Sequence, residues 1–409
     1  MFKGNRRPHI PIYYSTGRDV VLMIDDDKEK HVSELLRQIQ PLLTGFLLIG
    51  VDLRPQCTHK SLKNNSFRET VIKISHALIH IASWVFVLLI MYGIFSDKSS
   101  QTLKQDIAVR GLTILTIFLR SVLYWRHKDI LKTLTHLSDA YEKINLKSKN
   151  LNKGFVSALF IVYIGVFISM YGTVLLVLIA KGEIFIKYFI QRKYYYVTPS
   201  SLPLYVYYLF LIVDFMLFLI NCMSIGLFII LLLAVCTALK LILRDYRKSI
   251  SSSRVTFEVL QRRYTTVMGT VNRVDKCLSF PLFIILGMHI LLLFFVVSFY
   301  DWRQIWIRSV SVMEIYFCVI FIFYIGQYCA MTIFAARIHD EVQNIKIEVA
   351  KMSSRSSQLT AVEQLLLIAN VNSHSNICLT VWGFMNITKN SVFSSLGALV
   401  TFGALFQDL

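Results

Sequence analysis

Residues 204–243 read LYVYYLFLIVDFMLFLINCMSIGLFIILLLAVCTALKLIL, forty positions in which Asp214 and Lys240 are the only charges. As an α-helix rising about 1.5 Å per residue, the run is about 60 Å long, twice the roughly 30 Å hydrocarbon core of a bilayer. Half of it must project beyond the membrane. Its far end meets Lys240, Arg244 and Arg247, the residue types that collect on the cytosolic side. Working outward, six more segments have the length and apolar content of a membrane span: 71–95, 106–125, 155–180, 280–300, 312–336 and 383–406. The chain as a whole agrees, since 55% of its 409 residues are hydrophobic and only 17% charged, which excludes an ordinary soluble globular domain. The predicted fold class is all-α: a polytopic membrane protein with seven transmembrane helices.

The net charge of +18 comes from basic residues scattered through loops, so it speaks to membrane orientation and gives no support for nucleic-acid binding. Region 1–70, the loops after spans two, four and six, and Lys240 at the projecting end of span four make 31 Lys and Arg, against 8 in the loops after spans one, three and five. That split predicts a cytosolic amino terminus and an extracellular carboxyl terminus. Below the membrane, 255–279, 337–352 and 358–371 mix charge with apolar positions such as Val259, Ile345 and Val349. With the end of span four they fit a cytosolic helical bundle, or else independent solvated helices. The organisation expected is a cytosolic region 1–70, six spans within 71–336, a cytosolic helical segment 337–382 and a last span within 383–409. Residues 41–50 are too short to span and read as part of a cytosolic or interfacial helix.

Span seven differs from the others. At 100° per residue, Ser394, Gly397, Thr401, Ala404, Leu405 and Asp408 fall in one narrow sector, a stripe that is small or polar, then apolar, then acidic. Such a stripe suits a wet pore lining with an apolar narrowing at Ala404 and Leu405, and it equally suits close helix-to-helix packing.

The chain ends Thr401-Phe402-Gly403-Ala404-Leu405-Phe406-Gln407-Asp408-Leu409, which resembles the TYhhhhhQF ending (h, apolar) of arthropod gustatory receptors in the seven-transmembrane gustatory and odorant receptor ion-channel superfamily. Thr401 keeps the family residue; Phe402 takes the Tyr position, Asp408 the Gln and Leu409 the final Phe. The stretch Trp382-Gly383-Phe384-Met385-Asn386-Ile387-Thr388 resembles the same family. The resemblance implies a ligand-gated, non-selective cation channel of the plasma membrane, a homo- or hetero-tetramer whose last helices line one pore. It also implies a cytosolic anchor built from the middle helices and a small-molecule tastant held among the outer halves of spans two to six.

In this orientation Arg110, Asp214 and Glu314 lie about 6, 15 and 3 Å below the outer ends of their helices, with Tyr171, His289 and Tyr316 within reach of the outer half. Ionisable groups at such depth are candidates for ligand contact. An Arg110–Asp214 ion pair that only stabilises the bundle fits the same positions. No metal-ligand cluster, nucleophile motif or phosphate loop is present, so neither a cofactor nor an enzymatic role is expected. A G-protein-coupled receptor, the rival reading, would need the opposite orientation; the triplet Arg244-Asp245-Tyr246 ends span four, not span three.

Overall fold

The computed structural model describes residues 34–54, 65–96, 103–144, 153–180, 182–184, 186–187, 190, 203–251, 255–299, 312–352, 360–373 and 378–407. In chain order these form α1 (Glu34–Leu48), α2 (Asn65–Ser96), α3 (Leu103–Ile144), α4 (Lys153–Ala180), α5 (Leu204–Ile250), α6 (Phe257–Phe299), α7 (Val312–Met352) and α8 (Ala361–Ser373). A two-stranded hairpin, β1 (Thr380–Val381) and β2 (Met385–Asn386), then leads into α9 (Lys389–Gln407).

The forty-residue apolar run lies in α5; from Asn221 to Leu239 its side chains are buried nearly all round, while Tyr205, Leu209, Ile212, Val213 and Met216 in its first half stay exposed. A helix apolar on every face belongs at the centre of a bundle. Here α1, α3, α4, α6 and α7 pack around it. By contrast α2, packed chiefly on α3, leaves Val71, Ile74, Leu78, Ile81 and Leu88 exposed, a surface that water would not tolerate and lipid does. Within the described residues four stretches are long and apolar enough to cross a membrane by length and composition: Thr70–Leu89, Leu204–Ile250, Phe257–Val296 and Cys318–Met352.

Several helices run further than the sequence suggests. The predicted span 106–125 is the first half of α3, which continues to Ile144 because Ile130, Leu134, Leu137 and Tyr141 repeat at helical spacing and bury one face. The segments 255–279 and 280–300 form one helix, α6, which passes through Pro281 without a break. Likewise 312–336 and 337–352 are both α7. The extensions pack on each other and share one continuous core with the apolar halves, through Tyr246, Tyr264, Val267, Ile338 and Ile345. At their edge Arg247 of α5 pairs with Glu341 of α7 at 3.0 Å.

Helix α1 covers more than the predicted 41–50 and ends in a Schellman motif. The Val51 N–H donates to the Phe46 carbonyl (2.9 Å) and the Gly50 N–H to that of Leu47 (3.1 Å). Gly50 carries the positive φ, 85°, that this ending requires. The predicted span 383–406 is helical only from Lys389. Trp382 (φ 49°) and Gly383 (φ 74°) turn the chain left-handed, and the Phe384 N–H closes the turn on the Val381 carbonyl at 3.0 Å, the geometry of a hairpin turn.

Candidate functional site

Helix α9 starts at a reciprocal cap: the Thr388 N–H donates to Ser391 Oγ (2.9 Å) and the Ser391 N–H to Thr388 Oγ1 (3.3 Å). Lys389 pairs with Asp340 of α7 at 2.8 Å, and nearly two turns later Ser395 bonds with the Tyr328 hydroxyl of α7. Since Ser395 Oγ donates to the Val392 carbonyl, Tyr328 supplies the proton of that bond. Val392 is buried on the same side. The opposite face is open among the described residues: Ser394, Gly397 and Thr401 are exposed, and a methyl group on Gly397 would meet none of them. Thr401 returns its hydroxyl to the Gly397 carbonyl at 2.9 Å, which leaves its oxygen lone pairs outward. The side chains of Ala404 and Leu405, and all of Asp408, lie outside the described residues.

The hairpin that aims α9 is held by one carboxylate. Asp275 of α6 accepts from the Thr380 N–H at 2.6 Å and from its hydroxyl at 3.0 and 3.1 Å. Asp275 lies on the extension of α6, ahead of the predicted span, where burial raises its carboxyl pKa against the lowering by the two Thr380 donors.

The predicted ligand residues sit on five helices, α3 to α7. Asp214, on α5, is 1% exposed; Arg110, on α3, is half-buried, and both engage in polar or electrostatic interactions. His289, on α6, is buried with both ring nitrogens committed, Nδ1 to the Ile285 carbonyl (2.7 Å) and Nε2 to the Gln327 side chain of α7 (2.9 Å). It ties α6 to α7 beside the ring of Tyr324. Glu314 and Tyr316 lie in the first turns of α7 and Tyr171 in α4, with side chains outside the described residues.

The strongest polar knot is at Arg120 of α3, a charge inside the predicted span 106–125 that is not among the predicted ligand residues. It is 2% exposed, and its guanidinium donates to the Ile49 carbonyl past α1 (3.0 Å), to Ser83 Oγ of α2 (2.7 Å) and to Asn221 Oδ1 of α5 (3.5 Å). One cation thus ties together the end of α1 and three long helices. The signal was available, because an ionisable side chain within a span is a functional or architectural candidate by default.

The family profile described as 7tm chemosensory receptor matches residues 39–403. Among solved structures, the insect olfactory receptor OR5 from Machilis hrabei in complex with eugenol superposes with a TM-score of 0.70 at 10% identity, covering 91% of this chain and 98% of that one. The same receptor in a second structure gives 0.63 at 13% identity, with 91% and 97% covered. A search of curated proteins by sequence found no match. At such identities the superpositions establish a shared fold, that of a nearly all-helical polytopic membrane protein. With the profile spanning all but the two ends, the chain belongs to the 7tm chemosensory receptor family.

Proposed function

We propose that the protein is a gustatory receptor of the plasma membrane that acts as a ligand-gated, non-selective cation channel, assembled as a homo- or hetero-tetramer with α9 of each subunit lining the pore. The observation that carries this reading is the two-sided character of α9. One face is fixed to α7 by Lys389–Asp340 and Tyr328–Ser395, while the small and polar face at Ser394, Gly397 and Thr401 is uncovered among the described residues. Polar side chains at membrane depth need water or a partner, and a rotationally symmetric ring of such faces supplies both. Asp408, in the place of the family's Gln, adds a ring of carboxylates at the outer mouth that attracts cations. The tastant is a small molecule bound among the outer halves of α3 to α7, with Arg110, Asp214 and His289 shaping that region. The ligand-bound relative, a receptor in complex with eugenol, supports a small-molecule ligand in this fold.

The test is cysteine substitution in α9 with recording from cells expressing the channel. A tastant panel, sugars and bitter compounds included, first identifies an agonist. Ser394→Cys and Thr401→Cys channels should then lose agonist-evoked current on exposure to a charged thiol reagent, while Val392→Cys, on the packed face, should not. Agonist-evoked current insensitive to modification at both polar positions would refute the pore assignment; calcium signalling that persists without any conductance would favour the G-protein-coupled rival.

A further inference from the structure

Between α6, α7, the hairpin and the start of α9 lies a cavity of about 240 Å³ whose floor includes Leu286, Gly287 and Ile290 and whose rim includes the exposed rings of Phe283 and Phe384. Its three hydroxyls have spent their protons: Thr332 donates to the Tyr328 carbonyl (2.8 Å), Tyr328 to Ser395, and Ser391 to the Thr388 carbonyl (2.8 Å). What remains is an apolar slot, smaller than a drug-sized pocket and lacking the convergent polar groups that orient such a ligand. A chain of rings leads from it to a cation. Phe283 stands 5.3 Å from Trp382, Trp382 stands 5.0 Å from Phe280, and the guanidinium of Arg126 lies 5.6 Å over the Phe280 ring. Arg126 donates to the Cys277 carbonyl at 3.3 Å and pairs with no carboxylate among the described residues.

On the span boundaries read from the sequence, Arg126 follows span 106–125 directly and Phe280 opens span 280–300, so both stand at the inner membrane surface. Phe283 to Ile290 then lie about 5–15 Å deeper along α6, among acyl chains. Trp382, half exposed, keeps a left-handed φ of 49°, a conformation that non-glycine residues rarely adopt. The turn thereby sets an indole between cation and slot, at the depth where tryptophan partitions.

We propose that this groove is a binding site for an anionic phospholipid of the inner leaflet, its phosphate on Arg126 and its acyl chain in the slot against Gly287. The charge matches that leaflet, which is negative and attracts basic side chains at its surface. Because Ser391 and Val392 of α9 form one wall, the bound lipid braces the base of that helix, and inner-leaflet composition biases its position.

The test uses purified protein in mixed micelles, titrated with phosphatidylglycerol or phosphatidylcholine brominated on the acyl chain. Bromine quenches nearby indoles, and the difference between wild-type and Trp382→Phe protein isolates the Trp382 signal. That signal should reach half-quenching at a several-fold lower mole fraction of phosphatidylglycerol than of phosphatidylcholine. Arg126→Gln should make the two lipids equal, and Arg126→Lys should keep the preference. Gly287→Leu, whose side chain grows into open space, should lower the maximal quenching by both lipids while the protein stays folded. Equal titrations of the wild type by the two headgroups would overturn the proposal, as would full quenching in Gly287→Leu. So would a Trp382 that neither lipid quenches, the result expected if a second copy of the chain covers this face. No agonist or current enters the measurement, so its outcome is independent of the channel assignment.

Discussion

Replacing Arg120 by Met keeps the length and apolar stem of the side chain and removes every donor. Three acceptors lose that donor together: the Ile49 carbonyl, Ser83 Oγ and Asn221 Oδ1. Hydrogen bonds from a charged donor contribute about 1.5–3 kcal/mol each, and only the contacts of 3.0 and 2.7 Å have full strength, so the gross loss is about 3–6 kcal/mol. Relief from burying the cation offsets part of this, leaving a net destabilisation of about 3–4 kcal/mol. An unfolding entropy of about 2 cal/mol/K per residue makes this roughly 3–5 °C for a chain of this length. Heating detergent-solubilised protein and following the monodisperse fraction by fluorescence-detected size exclusion measures it. Lys in the same place, one point donor for three dispersed acceptors, should fall between. Combining Arg120→Met with Ser83→Ala should cost less than the sum of the two, by about 1–2 kcal/mol, since the bond they share is lost only once. A Met variant as stable as wild type, or strict additivity in the double variant, would refute the view that this cation ties the helices together.

Gly226 of α5 is where the ring of Tyr163 from α4 comes closest, and a methyl group there would overlap it. Gly226→Ala should therefore lower stability by about 1–3 kcal/mol although alanine favours the helix, and adding Tyr163→Ala should remove that strain; both read out in the same thermal assay. Asp275→Ala should free β1 from α6 and cost about 1–3 kcal/mol, seen as faster proteolysis within 378–388. As folding raises the Asp275 carboxyl pKa, the native state keeps this proton to a higher pH than the unfolded chain does. Stability from this group should decline as pH climbs from about 4 through the raised value, and Asp275→Asn should flatten that slope in thermal midpoints measured between pH 4 and 7. For Asp408→Asn, reversal potentials under asymmetric NaCl and CaCl₂ should show weaker cation selectivity with agonist sensitivity retained; unchanged conductance and unchanged divalent permeability would remove the carboxylate ring from the pore.

The class of this protein is written in its sequence because hydrophobicity and helical period are local properties. Forty nearly uncharged residues at 204–243 demand a buried or membrane-embedded helix whatever surrounds them, and the small and polar positions 394, 397 and 401 share a face in any α-helix that contains them. The sequence also carried the turn that shortens span seven, in Trp382-Gly383 flanked by alternating apolar residues, but hydropathy averaged over a span-length window hides a break of so few residues. Which groups meet across the bundle was decided by packing alone. Arg120 finds its acceptors 71, 37 and 101 residues away, and Thr380 finds Asp275 across 105. No periodicity encodes such pairs, because each helix can rotate and slide against its neighbours until side-chain volume and buried polar groups select one arrangement. Tyr328 and Ser395 give the same lesson for α9: its period defines a polar stripe, and the bond to α7 determines that the stripe faces away from that helix.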